Sequence, residues 1–431
     1  VTAASSAGVE PPARIATLDI VRGVAVMGIL AMNIVGFALP EQAYVNPMAA
    51  GSRGSADIAS WVFSFVFIDG KMRGLFSFLF GASLLLVIQR AEAKGEPAAR
   101  IHFRRMAWLL LFGLVHFYLI WSGDILSLYA PVGMIAGLFI DRSPKALVRS
   151  ALVLILVQFL VFGYLAGAFY SASAAAAAPG AGAEAVARWT EMKSDFVVPP
   201  AALADTLALY RGGYAGIVQH RTGEALLDPL VNLAFFGWET LAYMLLGMAG
   251  LKSGFLTGAW PRARYVRAAL LGYAVSAPAY ALLAWAIVRD GFRVPTLFAL
   301  EFAASVLVRP PMIVALAALI ILLTARGGVL VGRIAAAGRA AFTNYLGTSL
   351  VMTTLFYGYG LGLFGQLSRA QLWLVVLPAW AAMLLWSKPW LDRYLYGPFE
   401  WLWRSLARGA LQPMRKTGNG DSYFSPPPCS S

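Results

Sequence analysis

The sequence predicts an all-α integral membrane protein, a bundle of about ten transmembrane helices with both ends on the inner side and one large outer loop. Three observations carry this. Of 431 residues 59% are hydrophobic and only 13% charged, more apolar surface than a soluble fold of this size hides in one core. Apolar runs able to cross the roughly 30 Å hydrocarbon layer recur along the chain, without the period-two alternation of barrel strands. Basic residues lie between those runs, unequally on the two sides.

The first span is 18 to 39. Arg14 ahead of the apolar run from Ile20 to Leu39 superficially suits a signal peptide, but the run is too long and contains Asn33, so an uncleaved first span is expected. The second, 57 to 90, is long enough to be tilted, broken near Asp69-Gly70, or extended into the cytoplasm. The others are 104 to 121, 124 to 141, 145 to 169, 229 to 250, 265 to 288, 302 to 325, 338 to 357 and 370 to 387. Each added or missing helix would flip every later loop, so the positive-inside rule tests the count. With the N-terminus inside, 23 of the 34 Lys and Arg residues collect on the inner side and 8 on the outer, while Lys71, Arg73 and Arg309 fall within or beside spans.

The organisation follows. Residues 1–17 form an inner N-terminus, and 18–169 hold five spans with the candidate site. The outer loop, 170–228, opens on the low-complexity run SASAAAAAPGAGA and continues as amphipathic patterns around 184 to 195 and 201 to 221, which read as an interfacial cap or a substrate-covering lid. Five more spans fill 229–387. In 388–408 aromatic and basic residues interleave, as an anchoring interfacial helix requires. Residues 409–431 read as a disordered tail.

Composition excludes several function classes. The single cysteine, Cys429, permits no disulfide framework, and His102, His116 and His220 lie too far apart in sequence for a local metal motif, so no metal and no covalently bound cofactor is expected. The net charge of +13 is strung between spans without forming a basic face, so it reports topology and not nucleic-acid binding. Membrane lipids are the expected partners.

Ionisable groups at membrane depth cost several kcal/mol unless paired or wetted, so each is a functional candidate. Asp19 and Arg22 share a helix face and pair structurally or bind an anion. Asn33 is interhelical glue or a substrate contact. Phe67-Ile68-Asp69-Gly70-Lys71-Met72-Arg73-Gly74 puts three charges in an apolar stretch; Asp69 and Arg73, i,i+4 on one helix face, can pair, leaving Lys71 without a local counterion. This reads as a structural kink with a satisfied ion pair or as a water-filled cavity lined by these groups, the second being the expectation. His116 stands mid-span, either hydrogen-bonded in packing or serving as a proton acceptor. Trp121-Ser122-Gly123-Asp124 makes the next outer turn. Asp124, eight residues on, lies roughly 12 Å away on a continuous helix, too far to orient His116 unless the helix bends, and is more simply a helix N-cap. Glu239 is a further buried carboxylate able to complement Lys71 or Arg73, and Asn344-Tyr345 is a weaker polar pair. The expectation is that Asp69, Lys71, Arg73, His116 and Glu239 turn toward one hydrated hollow.

These residues lie in motifs that resemble the YeiB-like family of bacterial multi-pass membrane proteins. The likeness covers Leu18-Asp19-Ile20-Val21-Arg22-Gly23 with Asn33, Leu75-Phe76-Ser77-Phe78-Leu79-Phe80-Gly81, and His116 followed by Trp121-Ser122-Gly123-Asp124-Ile125-Leu126. It extends to Gly338-Arg339 with Thr343-Asn344-Tyr345, and to Gly397-Pro398-Phe399-Glu400-Trp401-Leu402-Trp403-Arg404. That family is similar to a wider transmembrane acyltransferase superfamily that includes the lysosomal heparan glucosaminide acetyltransferases. The resemblance implies a bacterial inner-membrane location and acyl transfer from cytoplasmic acyl-CoA, as co-substrate, to an envelope glycan or lipid acceptor. In the heparan branch a catalytic histidine follows the first-span asparagine by eleven residues; here that position is Tyr44, which leaves His116, with Asn33, as the catalytic candidates. Asp69, Lys71, Arg73, Glu239, Trp121, Asp124 and Asn344 are then the substrate-binding candidates, and Arg22, Arg90, Arg104 and Arg105 the donor-phosphate candidates. Two other classes use the same residues: a transporter or flippase with a charged path, and a non-catalytic lipid-binding or envelope-assembly protein.

Overall fold

The computed structural model describes residues 15–49, 54–194, 196–197 and 199–416. Arg14, Arg53 and Cys429 lie outside them. Sixteen helices matter to the argument: α1 (Ala16–Ala38), α2 (Ser55–Phe67), α3 (Lys71–Ala93), α4 (Ala98–Val115), α5 (Leu126–Ala136), α6 (Pro144–Ala177), α7 (Ala183–Met192), α8 (Pro200–Arg211), α9 (Tyr214–Thr222), α10 (Asp228–Lys252), α11 (Arg262–Arg289), α12 (Ser305–Thr324), α13 (Val329–Arg339), α14 (Ala341–Phe356), α15 (Trp373–Arg393) and α16 (Pro398–Arg408). No strand occurs among the described residues, apart from an isolated bridge between Tyr394 and Arg415.

Eight helical stretches are long and apolar enough to cross a membrane: Ala16–Ala38, Ser55–Ala93, Ala98–Ile120, Pro144–Ala177, Asp228–Lys252, Arg262–Arg289, Val294–Thr324 and Trp373–Arg393. The protein is thus an all-α membrane bundle. The other two expected spans form shorter helices, Leu126–Phe139 and Ala341–Phe356. Lipid explains the surface: α6 exposes Leu152, Val153, Leu156 and Leu160, and α11 exposes Leu270, Leu271 and Val275, a periphery as apolar as the core. The first helix is central, with 78% of its apolar stretch buried against 22% for α15.

Small residues set the closest crossings, because packing without a hydrophobic drive between helices depends on backbone approach. A Cβ on Gly81 of α3 would lie 2.0 Å from the Met244 carbonyl of α10, and one on Gly247 of α10 would lie 1.7 Å from the Phe78 carbonyl of α3. The α1–α13 crossing repeats this with Gly23 against Ile334 and Gly338 against Asp19. Gly247→Ala is therefore expected to destabilise the protein by about 1–3 kcal/mol through forced separation of the two helices. A lower midpoint of thermal unfolding in detergent checks this.

Three expectations are refined. The long second span breaks at Ile68–Gly70, where Gly70 takes φ +69°. Within the expected outer loop, α6 continues into the alanine run as far as Ala177, and the second amphipathic pattern divides into α8 and α9 at Gly212-Gly213. The expected disordered tail is corrected over its first part: Leu395 donates its backbone N–H to Met414 O (2.9 Å) and Trp401 its indole N–H to Gln412 O (2.7 Å), so 409–416 folds back on α16. Residues 417–431 lie outside the described ones.

The C-terminal motif has a structural task. The Glu400 carboxylate of α16 accepts from the backbone N–H groups of Phe342 (2.6 Å) and Thr343 (3.1 Å), satisfying two otherwise orphaned donors in the first turn of α14. Glu400→Ala is expected to cost about 1–2 kcal/mol, as loss of a helix cap does, again read by thermal unfolding.

Candidate functional site

Among the described residues, two polar clusters inside the bundle hold most of the sequence-predicted candidates. The first begins where α4 ends. Its last turn, His116–Ile120, is π-helical, a widened geometry frequent at functional sites. Trp121 then turns extended (φ −157°), and the chain doubles back through Ser122 and Gly123. Asp124 consequently returns to His116, with Oδ1 2.8 Å from Nδ1. This corrects the expectation that eight residues of helix hold the two apart: the helix stops at Ile120. Asp124 is not itself the N-cap, which is Ile125, but from one residue ahead its Oδ2 accepts from Ser127 N (2.6 Å) in the first turn of α5. A Cβ on Gly113 would stand 2.3 Å from Ser127 N, so glycine there lets α5 press against α4 and closes the dyad.

The dyad is enclosed. His116 is 1% exposed, and its Nε2 is buried without a hydrogen-bond partner. The Tyr345 ring lies 5.3 Å from the imidazole, and its hydroxyl accepts from Ile125 N (3.2 Å). Trp121 stacks on Phe37 at 3.8 Å, donates to Gly36 O (3.3 Å), and presents its edge to His116. Asn33 is buried one helical turn before Gly36 and Phe37, on the same side of α1.

The second cluster surrounds the break between α2 and α3. Glu239 of α10 is shared: Oε2 accepts from Arg73 Nη2 (2.6 Å), while Oε1 accepts from Tyr243 OH (2.6 Å) and from Arg309 Nη1. Arg309 also donates to Ser305 Oγ (2.6 Å) and Tyr280 OH (3.3 Å). A Cβ on Gly70 would sit 2.5 Å from Arg309 Nε, so this glycine serves both the left-handed turn and the arginine's approach. Lys71 is fully buried; its ammonium donates to Phe65 O and lies 3.3 Å from the centre of the Tyr280 ring. Asp69 lies 3.9 Å from Arg369, which donates to the Ala43 (2.7 Å) and Tyr44 (3.0 Å) carbonyls. Glu301 stands on a second π-helical stretch, Leu297–Ala304, with a buried Oε2 that has no partner. Burial first, and Asp69 next, raise the Tyr44 phenol well above its ordinary pKa.

Several expectations change. Asp69 and Arg73 do not pair, because the helix breaks between them and each meets a charge from another element. The five charged groups do not share one hollow: Asp69, Lys71, Arg73 and Glu239 engage one another's neighbours, and His116 engages Asp124 among aromatic rings. Asn344 is not a free substrate contact, since its amide donates to Ala337 O (3.0 Å) and Ser387 Oγ (3.2 Å) and accepts from Trp386 Nε1 (2.8 Å). Of the donor-phosphate arginines, Arg22 binds Asp19 (3.1 Å) and Ser83 Oγ (2.6 Å). Arg104 donates to Leu406 O (3.3 Å) and Arg105 stacks over Trp403 (4.2 Å), so both hold α16. Arg90 stands exposed.

Sequence reasoning gave no role to Arg309, Glu301 or Arg369. Arg309 and Glu301 carried the same signal as Glu239, an ionisable residue inside an apolar run; Arg369 lies in a connecting segment, where only tertiary structure shows it turned inward.

Comparison with known proteins shows the same extent of likeness. The chain is 33% identical to "Uncharacterized protein YeiB" of Escherichia coli (strain K12), over 92% of this chain and 97% of that one. It belongs to the YeiB-like family. It is also 31% identical to "Uncharacterized protein YxaH" of Bacillus subtilis (strain 168), over 94% of this chain and 96% of that one. A family model described as protein of unknown function (DUF418) matches residues 251–410. In this YeiB-like chain Glu301, Arg309, Tyr345, Arg369 and Glu400 lie within residues 251–410, and His116, Asp124 and the α2–α3 break lie before them. No solved structure matches the chain.

Proposed function

We propose that this protein is an acyltransferase of the bacterial inner membrane, moving an acyl group from cytoplasmic acyl-CoA to a hydroxyl or amine of an envelope glycan or lipid. The observation that supports it is His116, whose Nδ1 is held by Asp124 while Nε2 is buried and unpartnered. An anchored Nδ1–H fixes the tautomer that leaves a lone pair on Nε2. In the proposed step Nε2 takes the acceptor's proton, the acceptor oxygen or nitrogen bonds to the thioester carbonyl carbon, and the carbon–sulfur bond breaks. The imidazolium then returns the proton to the departing thiolate. Asp124, held 2.8 Å from Nδ1, orients the ring and stabilises the imidazolium. With the arginine-rich loops inside, His116 lies near the outer end of α4, about 27 Å from its start, so the acceptor meets the base from the outer side and the acyl group passes through the bundle.

Purified protein incubated with acyl-CoA of several chain lengths is expected to release free thiol, faster with an acceptor present. Folded protein that neither binds nor cleaves any of them would reject the reading. A second reading, proton-coupled translocation, is favoured by one observation: Glu301 Oε2 is unpartnered beside the charges of Asp69, Arg369, Arg309 and Lys71. Flux in proteoliposomes that is indifferent to acyl donors would support it instead.

A further inference from the structure

The helix α9 covers the end of the bundle where His116 lies. Tyr214 OH donates to Leu119 O (2.8 Å), inside the π-helical turn that begins at His116, and Tyr118 OH donates to Leu226 O (2.6 Å) beyond the other end of α9. Ile217 of α9 is 1% exposed and packs in the same apolar cluster as Trp121 and Tyr357. One helical turn on is Arg221, also 1% exposed.

Arg221 is poorly satisfied. Its Nη2 donates to Tyr357 OH (3.4 Å), and its guanidinium lies 5.7 Å from the Tyr357 ring. Both Nε and Nη1 are buried without a partner, and no carboxylate among the described residues pairs with it. The carboxylate nearest in sequence, Glu224, faces solvent and pairs with His220 (3.0 Å). A buried guanidinium left without a counterion is strongly unfavourable, whereas its planar fork suits the two oxygens of a phosphate or carboxylate. Glycines bound α9 at both ends, Gly212-Gly213 before it and Gly223 after it.

We propose that Arg221 is the anion-recognition residue of a lid, holding a phosphate group of the acceptor against the His116 end of the bundle. Resting on the acyltransferase reading, this makes the acceptor anionic, a phosphate-bearing lipid or glycan. The unpaired Nε and Nη1 supply the two donors.

The test uses the full chain in neutral detergent and reads thermal unfolding with two probes: inorganic phosphate, and mixed micelles containing phosphatidylglycerol in place of phosphatidylcholine. Wild type is expected to melt several degrees higher with at least one probe near saturation. Arg221→Met is expected to fold and to lose that shift, and Arg221→Lys to keep part of it. A shift with phosphate alone marks a free-phosphate subsite, and one with phosphatidylglycerol alone marks a lipid headgroup. His116→Ala is expected to keep the full shift, so the anion site is scored even where no acyl transfer is seen. Equal shifts in wild type and Arg221→Met, or none in wild type, would overturn the proposal; if Arg221→Met fails to fold, a shift in Arg221→Lys equal to wild type with phosphate and with phosphatidylglycerol does so.

Discussion

His116→Ala is expected to reduce acyl transfer by about a thousandfold while leaving the protein folded, the loss typical of removing a positioned general base. Asp124→Asn should come close to it, by roughly 10²- to 10⁴-fold, for a separable reason. Asparagine retains an oxygen for Ser127 N, so the start of α5 remains capped, but it removes the charge that orients the imidazole and supports its protonated state. The decrease should therefore appear in kcat with little change in KM, and the thermal midpoint should barely move. Wild-type turnover in both variants would remove the dyad from the mechanism. A rise in KM with kcat unchanged would make His116 a substrate-binding residue and not the base.

The other large effect is structural. Glu239→Gln is expected to destabilise the bundle by about 3–5 kcal/mol, because Arg73 and Arg309 both lean on that carboxylate and would be left as buried, unbalanced cations. Folded yield in the membrane and the midpoint in detergent measure this. Replacing Glu239, Arg73 and Arg309 together with Met should recover most of the loss, since removing a whole buried ion network is often neutral. A single Glu239→Gln variant as stable as wild type would mean that water already compensates these charges, which is the cavity expected from sequence and not the closed network of the structure.

Much of the site was legible before the fold. An ionisable residue in an apolar run is informative in any sequence, and that rule singled out Lys71, Arg73, Glu239 and His116, all of which are buried among polar or aromatic partners. It reached Arg309 too, yet assigned it nothing, because the rule states that a partner exists without naming one. Asn344 is the opposite case: its polarity stands out in an apolar span, but three neighbours already consume its hydrogen bonds. The interfacial arginines misled for a related reason. Arg104 and Arg105 have the charge a phosphate needs, and only the docking of α16 shows that they serve that helix.

The sequence by itself determined that this chain lives in lipid as a helical bundle, since hydropathy and charge asymmetry are summed over neighbours in the chain and need no contacts. Tertiary structure decided who meets whom. Two local departures from regular helix, the π turn after His116 and the left-handed turn at Gly70, redirect side chains by several ångströms, enough to join His116 to Asp124 and to part Asp69 from Arg73. Such departures are selected by packing between distant segments, as Gly113 against Ser127 and Gly70 against Arg309 illustrate; the sequence marks Asp69-Gly70 as one place where the second span can break, but periodicity along one helix does not say which partners a break brings together.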